Sequence, residues 1–442
     1  MYYDQDTIAA LATAPGTGGI AIVRISGPDA EGFLRALFVE KRAFETRKME
    51  YGHVAFQGQV LDECMAVMMR APHSYTREDV AEIHLHGGSY AAGHVLRALY
   101  QLGARPAEAG EFTRRAFLNG RIDLSQAEAV MGIIGAEGDH SARAAVRQLS
   151  GGVNRFISSV TDELLALLAG VEAAIDYPEE VSDEEAYTSL EQGALALAER
   201  LESACDERGA RLMESGLNVV LCGRPNVGKS SLLNAMLQEE RAIVTDIPGT
   251  TRDVVSGSFQ LSGVKINLSD TAGLRHGAEK VEQIGIDRAR QAIAGADVAL
   301  VVLDASVPLT AEDERLMQDT AGAPRIVLYN KCDLASTPAP LPEGTLRLSA
   351  RTGEGMDDLR RALSAYVAHA GQSEITQERH MALCRQAAAS LRSAAEACAG
   401  GASVDLAAVD LHDALQFLGR ITGAQMDEKL LDDIFSRFCV GK

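Results

Sequence analysis

The chain is short of positive charge. Its 442 residues carry 62 Asp and Glu against 42 Lys and Arg, a formal net charge of -20. Gripping nucleic acid takes clustered Lys and Arg, so a protein that holds RNA or DNA over its whole surface is disfavoured. A local basic patch, or a partner that supplies one, stays open. Long apolar runs are missing too: no stretch of about 18 apolar residues occurs, so no transmembrane helix or membrane anchor is predicted. The opening Met1-Tyr-Tyr-Asp-Gln-Asp6 lacks the basic start of a signal peptide. Cysteines are few, odd in number and scattered, at 64, 205, 222, 332, 384, 398 and 439, with no C-x-x-C. That pattern points to reduced thiols in a cytoplasmic protein, not to a disulfide frame or zinc knuckle. His84 and His86 invite a metal reading, but no Cys or carboxylate set completes zinc spacing, and the alternation fits one face of a strand.

What is present is globular, 46% hydrophobic and 24% charged, and too long for one core, so two or three domains are expected. The most informative segment is Gly223-Arg-Pro-Asn226-Val227-Gly228-Lys229-Ser230-Ser231. An apolar run, Leu217 to Cys222, precedes it and a helix former, Ser231 to Leu237, follows. Strand, glycine loop and helix in that order specify a phosphate-binding loop. Its glycines let backbone N–H groups curl inward towards phosphate, the helix start adds positive charge, Lys229 reaches the β- and γ-phosphates, and Ser230 holds Mg²⁺.

Asn330-Lys331-Cys-Asp333 follows the strand-like Arg325 to Tyr329. The Asp333 carboxylate can accept two N–H bonds from guanine, which adenine cannot offer. Ser349-Ala350-Arg351 stands where a loop would back the base. Asp270-Thr271-Ala272-Gly273 follows the strand-like Val264 to Leu268, with Asp270 for the Mg²⁺ shell and the Gly273 N–H for the γ-phosphate. Thr245-Asp246-Ile247-Pro248-Gly249-Thr250-Thr251 lies where a switch loop closes, with Thr251 a Mg²⁺ ligand. These motifs, in order, specify a GTPase on an open α/β sheet. Leu274 occupies the position of the water-orienting Gln of small regulatory GTPases. Leucine cannot orient water, which leaves Arg275, Glu279, Glu282 and Gln283 as candidates.

Four segments emerge. Residues 1–118 mix strands and short helices, and 119–214 carry long helical patterns, among them Glu184 to Arg208. Residues 215–371 form the GTPase domain, and helical pattern returns over 372–442, including Glu428 to Phe438. The apolar stripes of the two helical blocks need partners, and the simplest arrangement packs them together with the GTPase domain inserted between.

The chain resembles the MnmE (TrmE) family of tRNA uridine-5-carboxymethylaminomethyl modification GTPases over essentially its full length. The resemblance rests on Gly18 to Gly27, Glu82 to Gly88, Gly110 to Leu124, Val171 to Asp176, Thr245 to Asp253, Asp270 to Arg275 and the final Phe438-Cys-Val-Gly-Lys442. Val440 stands where the family ending usually has Ile. The resemblance implies an N-terminal α+β folate-binding and dimerising domain, a helical bundle domain and an inserted P-loop α/β GTPase domain. It implies a homodimer that works with an FAD-containing partner, MnmG (GidA), in a heterotetramer or larger complex. Together they modify C5 of wobble uridine in certain tRNAs with a one-carbon unit from 5-formyl- or 5,10-methylene-tetrahydrofolate. Activation by an arginine finger, Arg252 or Arg275, competes with a K⁺ ion implied by the family at Asn226, Thr245, Ile247 and Thr250. The resemblance assigns water positioning to Glu282. Folate contacts carry over to Arg24, Glu82, Arg121 (where the family often has Lys) and Lys442. Cys439 is either a packed thiol or a nucleophile towards C6 of uridine. The alternative is a ribosome-assembly GTPase of the Era or Der type, which would carry a basic tail or G-x-x-G clamp.

Overall fold

A computed structural model describes residues 6–40, 43–136, 138–176, 183–239, 257–270, 293, 295–334, 344–368, 373–400, 404–425 and 428–442. The chain divides into two compact units. The first comprises Met1–Met131, Gln148–Ala198 and Gln386–Lys442, and the second Gly132–Arg147 and Glu199–Arg385.

The first unit contains a six-stranded sheet. Its strands are β1 (Ile8–Leu11), β2 (Ile20–Ser26), β3 (Met49–Phe56), β4 (Gln59–Met69), β5 (Val80–His86) and β6 (Arg105–Pro106), in the order β3-β4-β5-β2-β1-β6. β2 and β5 alternate buried and less buried residues, the period-2 pattern of a sheet with one face on the core. Helices Ala30–Leu37 and Ser89–Leu102 supply Leu34, Leu37, Val95 and Leu99 to that core. The register places Arg24 opposite Glu82, on the face away from the apolar cluster. In the same unit helix Gly152–Asp176 packs against helix Val404–Thr422. Helical segments from both sides of the inserted chain therefore share one body, because each stripe finds its partner in the other.

Two helical readings need correction. The pattern Glu184 to Arg208 is not one helix: Asp183–Ser203 ends, and Glu207–Ser215 begins again with Asp206 as N-cap, its carboxylate accepting from the Gly209 N–H at 2.9 Å. The local capping bond outweighs the continuing apolar period. Helix Glu428–Ser436 stops before Phe438, whose ring turns back onto Phe435 at 5.2 Å and into a cluster with Ala116, Leu124 and Leu431.

The second unit holds the other six-stranded sheet: β7 (Leu217–Cys222), β8 (Gly257–Leu261), β9 (Val264–Asp270), β10 (Val298–Asp304), β11 (Arg325–Asn330) and β12 (Leu346–Arg347), ordered β12-β11-β10-β7-β9-β8. All neighbours are parallel except β8 with β9. β10 is the continuous apolar run Val-Ala-Leu-Val-Val-Leu, buried on both faces as a central parallel strand must be. Helices Lys229–Glu239 and Met356–Val367 bring Leu232, Met236, Leu359 and Leu363 to the sheet.

One charged network is buried in the first unit. Arg115 is 4% exposed and Glu111 2%. The guanidinium bonds Asp6 at 2.6 Å, Glu111 at 3.0 Å and Glu78 at 3.2 Å. Burial alone pushes the Asp6 and Glu111 carboxyls up, but hydrogen bonds from Arg105 and Arg115 outweigh it and hold both below the usual carboxylate range. A carboxyl lowered in the folded state stabilises above its unfolded pKa, and that contribution is lost as pH falls through the folded value. Arg115→Met removes one of the two guanidiniums that serve Asp6 and Glu111, with Arg105 still paired to both, and is expected to destabilise the protein by about 1.5–3 kcal/mol at neutral pH. It also reduces the loss of stability on acidification, because part of the lowering disappears. Urea unfolding between about pH 3 and pH 7 measures both effects.

Candidate functional site

β7 ends at Cys222, a thiol pushed up to about 12 by burial and therefore inert. The loop beyond it can be built only with glycine at two places. A Cβ on Gly223 would lie 2.5 Å from the Val302 carbonyl oxygen, and one on Gly228, at φ +98°, would lie 2.2 Å from Asn330 Nδ2. Lys229 opens the following helix and is 6% exposed. Its ammonium donates to the carbonyls of Gly223 and Arg224 at 2.8 and 2.9 Å, so it lies folded across its own loop. A phosphate there would offer the same ammonium a charged acceptor. Ser230 and Ser231 are exposed in the first turn of that helix, and Asp270 ends β9, in register with Leu221. These donors stand at the carboxyl ends of parallel strands, where open α/β sheets bind ligands, and their chemistry suits a hard Mg²⁺ ion.

The segments that follow β11 and β12 are tied to this loop by two neighbouring side chains, Asn330 and Lys331. Asn330 is 2% exposed; its Nδ2 donates to the Val227 carbonyl at 2.8 Å and its Oδ1 accepts from the Ala350 N–H at 3.0 Å. Lys331, at φ +67°, donates to the Asn226 carbonyl at 2.7 Å and to Asp304 Oδ2 at 2.6 Å. Ser349, fully buried, donates to Asp333 Oδ1 at 2.7 Å. Asp333 itself is exposed, and Arg351 is exposed beyond it. Asn226, at φ +67°, has its backbone oxygen held by Lys331 and its side chain exposed.

Sequence reasoning missed one member of this site. Arg224 Nε lies 3.0 Å from Asp313 Oδ1, and Asp313 is 1% exposed. Asp313 and Thr310 form a capping box at the start of helix Ala311–Asp319. The T-x-x-D spacing announces the cap; the ion pair to the phosphate loop is long-range and leaves no local trace. Thr245, Asp246, Ile247, Pro248, Gly249, Thr250, Thr251, Arg252, Thr271, Ala272, Gly273, Leu274, Arg275, Glu279, Glu282 and Gln283 lie outside the described residues.

In the first unit a second group assembles. Arg24 Nε bonds Glu82 Oε1 at 2.9 Å, and Arg24 Nη1 donates to the Gly441 carbonyl at 3.3 Å. The guanidinium carbon lies 5.4 Å from the Tyr75 ring centre and 5.6 Å from that of Phe112, while that of Arg121 lies 4.6 Å from Tyr75. His84 contacts Glu82 at 3.2 Å, and His86 pairs with Asp62 at 2.9 Å, which holds its imidazole pKa up. Both histidines are engaged with carboxylates, and no three-ligand metal cluster occurs among the described residues. The tail that reaches Arg24 is fixed by shape. Gly441, at φ +95°, leaves no room for a Cβ, which would lie 2.1 Å from the Leu11 carbonyl oxygen. Val440 bridges Ala109, and the Gly110 N–H donates to the Cys439 carbonyl at 3.3 Å. Cys439 is exposed and Lys442 half-buried. Tyr75 and Phe112, the aromatic surfaces here, were not singled out by the sequence, because ring contacts across the fold have no spacing rule.

Asn330→Ala removes two buried hydrogen bonds that hold the phosphate loop and the base loop in one arrangement. It is expected to weaken GDP binding about 10- to 100-fold, the equivalent of about 1–3 kcal/mol for unsatisfied buried groups. Titration with a fluorescent GDP, alongside circular dichroism to confirm folding, checks this.

The family model described as "GTP-binding protein TrmE N-terminus" matches residues 7–121, and that described as "MnmE helical domain" matches 124–439. A tRNA modification GTPase MnmE from Chloroflexus aurantiacus is 46% identical over 453 residues, covering 99% of this chain and 100% of that one. One from Lactiplantibacillus plantarum is 42% identical over 459 residues, covering 99% and 98%. One from Heliobacterium modesticaldum is 44% identical over 468 residues, covering 99% of each. With these full-length relatives and the phosphate loop, base loop and C-terminal tail in place, the chain belongs to the MnmE family of tRNA modification GTPases.

Proposed function

We propose that the chain hydrolyses GTP in its second unit and that hydrolysis serves installation of the carboxymethylaminomethyl group on C5 of wobble uridine in tRNA, in the cytoplasm. The observation that carries the GTPase part is the Asn330 bridge between the phosphate loop and the base loop. Full-length relatives named for tRNA modification support the second part and weigh against a ribosome-assembly factor. The net charge of -20 fits a homodimer that leaves much of the tRNA to an FAD-containing MnmG (GidA) partner.

For hydrolysis, Lys229 holds phosphate oxygens, Ser230 and Asp270 hold Mg²⁺ with Thr251, and Glu282 orients water in place of the absent glutamine. Asn226, its backbone oxygen already engaged and its side chain exposed, suits a K⁺ ligand set with Thr245, Ile247 and Thr250. A fixed cation at the phosphates stabilises developing charge. GTP turnover is expected to fall at least about tenfold when Na⁺ replaces K⁺, equivalent to about 1.4 kcal/mol in the barrier. Glu282→Ala should lose turnover while its GTP affinity stays at the wild-type level. Equal rates in the two salts would remove the cation from the mechanism.

For the carbon chemistry, Arg24, Glu82, Arg121 and Lys442 form the site for a tetrahydrofolate derivative, 5-formyl- or 5,10-methylene-tetrahydrofolate. The Glu82 carboxylate suits the N–H edge of a pterin, and the Arg24 and Arg121 guanidiniums, both held over the Tyr75 ring, suit the glutamate carboxylates. The bound folate supplies the one-carbon unit. Cys439, exposed in the same tail, is the candidate nucleophile towards the uridine ring. Arg24→Ala is expected to weaken binding of 5-formyltetrahydrofolate strongly, because Glu82 and the tail lose their shared partner. Deletion of Lys442 should weaken it less, since Gly441 still docks. Calorimetric titration of the two variants tests the order, and an unchanged affinity in both refutes the assignment.

A further inference from the structure

Arg47, Arg77 and Arg121 line an open groove of about 560 Å³ in the first unit, with Met69, His73 and Tyr75. Each guanidinium donates to a backbone carbonyl: Arg47 to His73 at 2.9 Å, Arg77 to Asn119 at 2.9 Å and Arg121 to Tyr75 at 3.2 Å. Among the described residues none of the three meets a carboxylate. In a chain with 62 acidic residues against 42 basic ones, these three arginines make the groove locally positive. A carbonyl contact orients a guanidinium without neutralising it, and leaves further N–H donors facing outward.

The backbone adds an independent observation. Arg47 and Arg77 have φ of +62° and +60°, the left-handed region that Gly or Asn takes with less strain. Both positions carry an arginine in a conformation that strains any residue with a Cβ, and strain of this kind occurs at binding sites.

We propose that this groove binds the oligo-γ-glutamyl tail of a reduced folate. The proposal rests on the folate reading of Arg24, Glu82 and Lys442. Continuity supports it: Arg24 and Arg121 stand over the same Tyr75 ring, at 5.4 and 4.6 Å, so the groove begins where the folate site ends. Each added γ-glutamyl unit brings one free α-carboxylate, and a guanidinium recognises a carboxylate with two parallel hydrogen bonds. A groove of this volume accepts a thin flexible chain. An RNA backbone would call for basic residues over a wider face, and the net charge of the chain opposes it.

The test compares 5-formyltetrahydrofolate monoglutamate and pentaglutamate by calorimetry on the full-length protein. The pentaglutamate is expected to bind at least about tenfold tighter, with the advantage shrinking as salt rises because the groove is exposed. Arg47→Asn and Arg77→Asn relieve the left-handed strain, so both variants fold. Each is expected to lose most of the advantage while binding the monoglutamate as the wild type does. Equal affinity of the two folates for the wild type overturns the proposal. A variant that keeps the advantage but loses affinity for tRNA assigns the groove to RNA and overturns it too. Absence of binding by both folates removes the folate reading itself, and the proposal with it.

Discussion

The buried amide of Asn330 is the interaction on which the nucleotide site depends. An amide has a donor end and an acceptor end, and here each is used once, on the Val227 carbonyl and the Ala350 N–H. Those two groups belong to the glycine loop after β7 and to the loop after β12. A carboxylate in this position could not donate, and an ammonium could not accept. Asparagine therefore sets the spacing between the two halves of the nucleotide site. Lys331 repeats the tie from the next residue, and Arg224 anchors the far side of the phosphate loop on Asp313. Asp304 takes part as well: burial pushes its carboxyl up, but bonds from Lys331 and Ser306 hold it below its ordinary value and thus charged.

A comparable constraint governs the C-terminal tail, by exclusion rather than by hydrogen bonding. Gly441 and Gly110 sit at positive φ, each against atoms that leave no space for a side chain. Phe435 and Phe438 pack beside them. Together they deliver the Gly441 carbonyl to Arg24, which also carries Glu82. The motif at the chain end is read physically as one anchor, one exposed thiol, one bridge residue, one glycine that alone fits, and one lysine set beside the Arg24 site.

Much of this was legible because it obeys local rules. The phosphate loop announced itself through strand, glycines and helix; the base loop through an apolar run ending in Asn330; the helical blocks through their period. The helix break at Asp206 was hidden, since the apolar repeat continued across it and only the capping bond stopped the helix. Tyr75 and Phe112 were hidden for another reason: a ring that stacks on a guanidinium from a distant strand has no neighbour in sequence to mark it.

The sequence by itself therefore determined residue types and their order: a glycine loop running into Lys229-Ser230, Asp333 after Asn330-Lys331, Leu274 after Gly273, and a family ending. It did so because those properties depend on residue type and short spacing. Only the tertiary structure decided the company each group keeps. It joined Asn330 to two loops, laid the tail on Arg24, set Arg121 over Tyr75 and, among the described residues, left Arg47 and Arg77 without acidic partners. These are contacts between residues far apart in the chain, fixed by sheet register and core packing, and no local pattern encodes them.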